Sequence, residues 1–157
     1  MVTGDSWSDV SIRELVKHGG KTLTALDLTN CQQTSDPLLE FIAPYCKELR
    51  TLNLRGCVQV TDAGAAGFAA HCQQLRELVL AACDLVTDAT VLAYAAGCIR
   101  LQVVDLNFCP LVTAASVAEL CAANRHLLHL TPGFLRAIPQ AEEEDPEVEN
   151  RAQLAKR

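Results

Sequence analysis

Residues 49–62, with the sequence LRTLNLRGCVQVTD, recur along most of the chain at intervals of 26 residues. One step forward keeps seven residue types of this stretch, at Leu75, Leu78, Leu80, Cys83, Val86, Thr87 and Asp88. A second step forward keeps the pattern at Leu101, Val104, Leu106, Cys109, Val112 and Thr113, and one step back keeps it at Leu23, Leu26, Leu28, Cys31, Ser35 and Asp36. Repetition at a fixed period of this size indicates a protein built from stacked supersecondary units.

Each unit begins with a short alternating pattern. Leu52 and Leu54 are separated by one polar residue, and Thr51, Asn53 and Arg55 occupy the alternate positions. Because successive side chains of a strand point to opposite faces, this alternation predicts a strand with its leucines inward.

A helix start follows each strand. The pair Thr61-Asp62 supplies a hydroxyl and a carboxylate, both favoured at a helix N-terminus, and the helix is predicted to continue to about His71. Its core face is predicted to consist mainly of small residues, namely Ala65, Ala66, Phe68 and Ala69. One strand and one helix per repeat predict an α/β solenoid.

The pattern L-x-x-L-x-L-x-x-C with a following V-T-D resembles the cysteine-containing leucine-rich repeat of F-box/LRR proteins and of LRR-only relatives of the antagonist-of-mitotic-exit-network type. The resemblance covers about residues 20–131. It implies a short horseshoe of about four repeats, with parallel strands on the concave face and helices on the convex face, and a role in binding other proteins. Only 19 residues precede the first repeat, without the Leu-Pro opening of an F-box. The resemblance therefore implies an LRR-only relative or a piece of a longer protein.

Four segments are predicted along the chain. Residues 1–19 form a capping half-repeat, in which Ser8 or Asp9 caps a helix and Trp7 covers the first layer. Residues 20–131 contain the leucine-rich repeats. Pro132 replaces the third leucine of a fifth repeat and lacks an N–H, so residues 132–139 are predicted to form a C-terminal cap. Residues 140–157 are acidic, lack periodic apolar residues and are predicted to be disordered.

Charge and composition exclude several functions. The formal net charge is −6, and neither a basic stripe nor a cluster of basic residues interleaved with aromatics is visible, so nucleic-acid binding is not expected. No apolar run is long enough to span a bilayer, and no secretory signal is visible, so we expect no membrane association and a cytoplasmic or nuclear location.

Seven of the eight cysteines form two columns with the period of the repeat, and Cys121 alone is off register. The first column is Cys31, Cys57, Cys83 and Cys109, and the second is Cys46, Cys72 and Cys98 with Asn124 in fourth place. The smallest separation between cysteines is 11 residues, unlike the close pairs of zinc sites, so neither a metal nor a cofactor is expected. A disulfide between neighbouring layers stays open on distance alone. We expect buried structural thiols that donate to the turn backbone.

A catalytic cysteine is the alternative that the sequence offers for these thiols. His71 and Cys72 are adjacent, but Cys72 repeats the position of Cys46 and Cys98, so the repeat explains the thiol without a histidine. No catalytic residue is therefore predicted, and the chain is not expected to be an enzyme.

The remaining prediction is a protein-binding concave face. Three columns point outward by register, Ala25-Thr51-Glu77-Val103-His129, Asp27-Asn53-Val79-Asp105-Thr131 and Thr29-Arg55-Ala81-Asn107. The candidate binding residues are Asp27, Thr51, Asn53, Arg55, Glu77, Val79, Asp105, Asn107 and Phe108, the last an apolar residue at the loop rim. We expect a monomer whose protein partner is a ubiquitin-ligase substrate, as the resemblance implies, recognised without a cofactor. The alternative is a structural or assembly subunit that docks through its repeat ends and convex helices.

Overall fold

Helices and strands alternate through residues 8–131, the part of the chain that the computed structural model describes. The helices are α1 Asp9–Gly19, α2 Asp36–Ile42, α3 Asp62–His71, α4 Asp88–Gly97 and α5 Ala114–Ala123. The strands are β1 Ala25–Asp27, β2 Thr51–Asn53, β3 Glu77–Val79, β4 Val103–Asp105 and β5 His129–Thr131. Short 3-10 turns at Gly20–Thr22 and Ala43–Tyr45 follow α1 and α2. The predicted Trp7 cover, the 132–139 cap and the 140–157 tail lie outside the described residues.

The strands form one parallel sheet in chain order, and each residue pairs with the residue 26 positions further on. Leu26, Leu52, Leu78 and Val104 therefore stack in one inward column, as predicted. Parallel strands lie about 4.8 Å apart whereas packed helices need about 8–10 Å. A layer of helices on one side of the sheet consequently bends the solenoid with the strands on the inner, concave side.

A fifth strand extends the sheet beyond the four repeats that the sequence predicted. Thr131 closes β5, and its carbonyl accepts a 2.9 Å hydrogen bond from the amide of Leu106. The fifth repeat keeps Leu127 and Leu130 in register, and this is enough to form a strand before Pro132 removes the next donor.

The core consists of thin, similar layers. In the inward column of the strands, the side chains of Leu52, Leu78 and Val104 are only 0–1% exposed. Ala81 is also fully buried, so its predicted place in the third outward column is wrong. Strand β3 ends at Val79, so Ala81 lies in the turn beyond the strand.

The turn after each of the first four strands contains one residue whose backbone has the left-handed conformation, with a positive φ angle. The φ angles are 57° at Asn30, 70° at Gly56, 56° at Ala82 and 59° at Phe108. Glycine and asparagine adopt this conformation readily, whereas a bulky residue such as phenylalanine rarely does. A Cβ atom at Gly56 would also collide with the Asn30 carboxamide of the preceding repeat, so neighbouring turns are closely stacked.

The predicted helix starts are confirmed. Ser8 Oγ accepts from the Ser11 amide at 3.2 Å, and Thr61 Oγ1 accepts from the Ala63 amide at 3.3 Å. The predicted small core face of α3 is only partly right, because Gly64 is buried and Ala66 is half-buried. No helix in residues 8–131 is both long and apolar enough to cross a bilayer.

Candidate protein-interaction face

The outward side chains of the strands lie in two regular rows on the sheet face. The first row is Ala25, Thr51, Glu77, Val103 and His129, and the second is Asp27, Asn53, Val79, Asp105 and Thr131. Seven of the nine predicted binding residues are half-buried, and only Arg55 and Phe108 are exposed. The sheet thus holds most of the candidate residues in fixed relative positions, with Arg55, Asn107 and Phe108 in the turns beyond the strand ends.

Three of these residues also shape the backbone. Asp27, Asn53 and Asp105 each end a strand, and each side-chain oxygen accepts from the amide two residues on, at 2.9, 3.0 and 3.0 Å. Such contacts favour a turn over continuation of the strand. Their local hydrogen bonds fix the orientation in which these polar groups face a partner.

The centre of the face combines two valines with two carboxylates. Glu77 pairs with Val103, and Val79 pairs with Asp105, so apolar and acidic side chains alternate across β3 and β4. Thr51 Oγ1 donates to Glu77 Oε2 at 3.4 Å, and Thr131 Oγ1 donates to Asp105 Oδ1 at 2.7 Å. This central patch offers apolar contact area beside oriented negative charge.

Phe108 lies at the rim of the face, not within its rows. Its side chain is 59% exposed and its backbone is left-handed, in the turn position that Asn30 and Gly56 occupy in earlier repeats. The sequence correctly predicted an apolar residue at the loop rim. It did not predict the backbone conformation, because a phenylalanine alone gives no signal for a positive φ.

A ladder of aspartates joins the helix starts, and sequence reasoning missed it. The Asp62 carboxylate accepts from the Thr87 amide at 2.9 Å, the Thr87 hydroxyl at 2.6 Å and the Thr90 hydroxyl at 2.5 Å. Asp88 receives the equivalent three bonds from Thr113 and Ser116, at 2.5–2.8 Å. The recurrence of Thr-Asp at the period of the repeat predicts a cap for its own helix but gives no signal for a contact with the neighbouring repeat. The ladder holds successive repeats together and is structural.

The predicted role of the cysteines as backbone donors is confirmed for both columns. Cys57, Cys83 and Cys109 donate to carbonyls of the preceding repeat at 3.1–3.2 Å, and Cys72 and Cys98 donate to the carbonyls of Cys46 and Cys72 at 3.1 and 3.5 Å. In fourth place, Asn124 Oδ1 accepts from the Leu101 amide at 3.1 Å.

Burial also makes these thiols poor nucleophiles. It raises the pKa of Cys46 to about 11 and the pKa of Cys98 to about 12. The pKa of Cys72, the thiol beside His71, is raised further, first by burial and then by the neighbouring thiols. A thiol that stays protonated at neutral pH is a weak nucleophile and a weak metal ligand. Within residues 8–131 no three histidine, cysteine or acidic side chains are grouped so that they could hold a metal ion.

Known proteins provide an independent comparison. A family described as "Leucine Rich repeat" matches residues 45–69, the stretch that contains β2 and most of α3. Among curated proteins, no sequence matches the chain. Solved structures with similar folds include a chain of the Rad7 and Elc1 complex in yeast, with a TM-score of 0.61 and 20% identity over 78% of this chain. This chain has a leucine-rich-repeat fold.

Two other solved structures of similar length have a similar fold. Actin-binding site 2 of leiomodin-1 gives a TM-score of 0.55 at 13% identity, and the C-terminal domain of Caenorhabditis elegans tropomodulin gives 0.56 at 12% identity. Both alignments cover 96% of this chain and 98% of the other. The alignment with the Rad7–Elc1 chain covers only 31% of that chain. At such identities the similarity concerns the fold, and the cysteine-containing and F-box subtypes remain predictions.

Proposed function

We propose that this chain is a non-enzymatic protein-interaction module that binds its partner through the sheet face. The observation that carries the proposal is the unbroken register of five strands, which holds two rows of outward side chains at fixed spacing. Repeat solenoids use such extended inner surfaces for binding. A surface that is ordered before binding loses little conformational entropy when a ligand docks.

The chemistry of the central patch favours a protein partner. Val79 and Val103 supply half-buried apolar contact area, and Glu77 and Asp105 supply negative charge beside it. A partner side chain with an apolar stem and a cationic head fits this alternation, because the stem contacts the valines and the head meets a carboxylate. Arg55 at the neighbouring strand end would contact an acidic or polar group of the same partner.

The finer proposal concerns the class of partner. The resemblance to F-box/LRR proteins favours a substrate-recognition role like that of ubiquitin-ligase subunits, with a substrate protein on the sheet face. In this proposal the chain acts as a monomer in the cytoplasm or nucleus, without a cofactor, a nucleic acid or a membrane. Proteomic identification of partners by affinity purification tests this class, because ligase substrates or ligase subunits should be enriched.

A charge swap tests the binding surface. Arg55→Glu combined with Glu77→Arg keeps the net charge and alters only outward side chains, so the melting temperature should change little. Binding to the purified partner should weaken, because both oriented charges are reversed. Glu40→Arg on α2 and Glu119→Arg on α5 are controls on exposed helix positions and should bind as the wild type does.

The second candidate is an assembly subunit, for which the sequence predicts docking through the repeat ends and convex helices. Exposed apolar side chains on the strand-to-helix loops also favour it. Leu85 is 46% exposed, Leu111 is 40% exposed, and the two loops are joined by backbone bridges to Thr61 and Thr87. If Leu85→Ser with Leu111→Ser abolishes partner binding while the charge swap has no effect, this loop surface is the docking site. The proposal for the sheet face would then be wrong.

A further inference from the structure

Charge is separated along the strand direction although the whole chain is acidic. The helix-to-strand loops carry six of the nine lysines and arginines in residues 8–131, namely Lys21, Lys47, Arg50, Arg76, Arg100 and Arg125. Glu48 is the only acidic residue in those loops. The opposite edge, where strands end and helices start, carries Asp27, Asp36, Asp62, Asp84, Asp88 and Asp105. We call the helix-to-strand side the basic edge.

The basic edge contains a cleft between the last three repeats. Arg76, Arg100, Gln102 and His126 line this space of about 330 Å³. Arg100 Nη1 donates to the neutral carboxamide of Gln74 at 2.8 Å. Within residues 8–131, ion pairs occur only among side chains of α1. The two guanidinium groups of the cleft are therefore not neutralised by a carboxylate of the described part of the chain.

The chain itself contains a segment of complementary charge. Residues 142–149, EEEDPEVE, carry six carboxylates in eight residues. We propose that this segment docks in cis on the cleft of Arg76, Arg100, Gln102 and His126. Guanidinium groups bind carboxylates through paired, charge-assisted hydrogen bonds.

The length of the connecting chain allows this contact. Strand β5 ends at Thr131, only five residues after His126 of the cleft. Residues 132–141 connect Thr131 to the acidic segment, and ten residues span up to about 33 Å when extended. Five residues place Thr131 at most about 17 Å from His126. The acidic segment can thus return to the basic edge, away from the aspartates at the edge where β5 ends.

Tethering compensates for the weakness of an exposed charge contact. Individual ion pairs at a surface are weak, but attachment to the same chain gives a local concentration of the order of 1 mM. A segment that binds in trans with a Kd of about 1 mM is then docked about half of the time. The docked segment competes with acidic segments of other proteins for the basic edge. This inference concerns another surface than the sheet face and holds whether or not the sheet face binds a partner.

Competition by a synthetic peptide tests the proposal. The probe is residues 141–150 as a blocked peptide, titrated into full-length chain and followed by amide chemical shifts around the cleft. The variant carries Glu142→Gln, Glu143→Gln, Glu144→Gln, Asp145→Asn, Glu147→Gln and Glu149→Gln in the full-length chain, so all six carboxylates of the segment are neutralised. It should bind the peptide about twofold more tightly than the wild type, because its own segment no longer competes. Equal affinities would overturn the proposal and assign the cleft to acidic segments of other proteins.

Matched arginine variants locate the site. Arg76→Glu with Arg100→Glu, introduced into the variant with the neutralised acidic segment, should abolish peptide binding. About 0.5 M NaCl should strongly weaken peptide binding to the variant that keeps both arginines, because salt screens exposed charges. Arg55→Glu is the control, since it changes an exposed cation on the opposite edge. If Arg55→Glu weakens binding of the peptide as much as Arg76→Glu with Arg100→Glu does, the proposal is wrong. It is also wrong if no variant and no wild-type chain binds the peptide.

Discussion

Removal of the Asp62 carboxylate should be a severe lesion although this side chain is only half-buried. Asp62 begins α3 and accepts three hydrogen bonds from the next repeat, two from Thr87 and one from Thr90. In Asp62→Ala, the Thr87 amide and the fully buried Thr90 hydroxyl lose their acceptor together. The change therefore tests whether the ladder, and not apolar packing alone, holds one repeat to the next.

The expected cost follows from the two groups that lose their acceptor. An unsatisfied buried donor costs about 1–3 kcal/mol, whereas the Thr87 hydroxyl is half-buried and can turn to water. The free energy of unfolding should therefore fall by about 2–4 kcal/mol. Asp62→Asn keeps one oxygen and places an NH₂ group against a donor, so about 1–2 kcal/mol is expected.

Urea unfolding followed by far-UV circular dichroism measures both variants. Asp84→Ala is the matched control, because Asp84 is an exposed aspartate of the neighbouring loop, and its cost should stay within about 0.5 kcal/mol. A double-mutant cycle of Asp62→Asn with Thr90→Val isolates the contact between the two side chains. If Asp62→Ala costs no more than Asp84→Ala, the ladder contributes nothing to stability and the reasoning is refuted.

The same carboxylates should control the response to acid. Burial opposes the ionisation of Asp62, but the hydrogen bonds from Thr87 and Thr90 outweigh it and lower the pKa. The pKa of Asp88 is lowered likewise, against burial, by Ser116 and Thr113. A carboxyl with a lowered folded pKa stabilises the fold above its unfolded pKa of about 3.9, and the contribution is lost as pH falls through the folded pKa. Asp62→Asn should therefore lose less stability than the wild type between about pH 5 and pH 2.

Three further predictions concern the core and the rim. Iodoacetamide should label only the exposed Cys121 in the native protein and all eight thiols in the denatured protein. Rapid labelling of a second cysteine in the native protein would show that the other seven thiols are not all buried. Leu78→Ala should cost about 2–5 kcal/mol, against a smaller loss for Cys83→Ala, which removes one atom; equal costs in urea unfolding would contradict this ranking. Phe108→Asn should not lower the melting temperature, because asparagine adopts the left-handed conformation more readily; a fall of several degrees would show that the ring packs on the fold.

Periodicity in the sequence was sufficient to predict the architecture and the rows of the sheet face. A 26-residue step assigns Thr51 opposite Glu77 and Asn53 opposite Val79, and the sheet has this register. The prediction works because each repeat packs only on its neighbours, so a local pattern determines a global arrangement. It failed at Ala81, where the strand is too short for the alternation to continue.

Contacts between repeats were harder to predict than contacts within them. Asp62 next to Thr61 suggested a cap for its own helix, while its three hydrogen bonds go to residues 25 and 28 positions away. The basic edge was missed for a similar reason. Arginines at positions 50, 76 and 100 are far apart in sequence, and a net charge of −6 conceals their clustering. Only stacking of the repeats brings such side chains together.

The same stacking explains why the regular pattern weakens at the C-terminal end of the described solenoid. Two devices join each repeat to the next, the aspartate at the helix start and the strand pairing of the sheet. Ala114 stands where Asp36, Asp62 and Asp88 accept from the threonine of the next repeat, so the first turn of α5 contains no carboxylate. Pro132 stands where Leu106 donates its amide to the next strand, and proline has no N–H. The carboxylate is missing in the fourth repeat and the strand donor in the fifth, so substitution of Ala114 alone could not extend the stack.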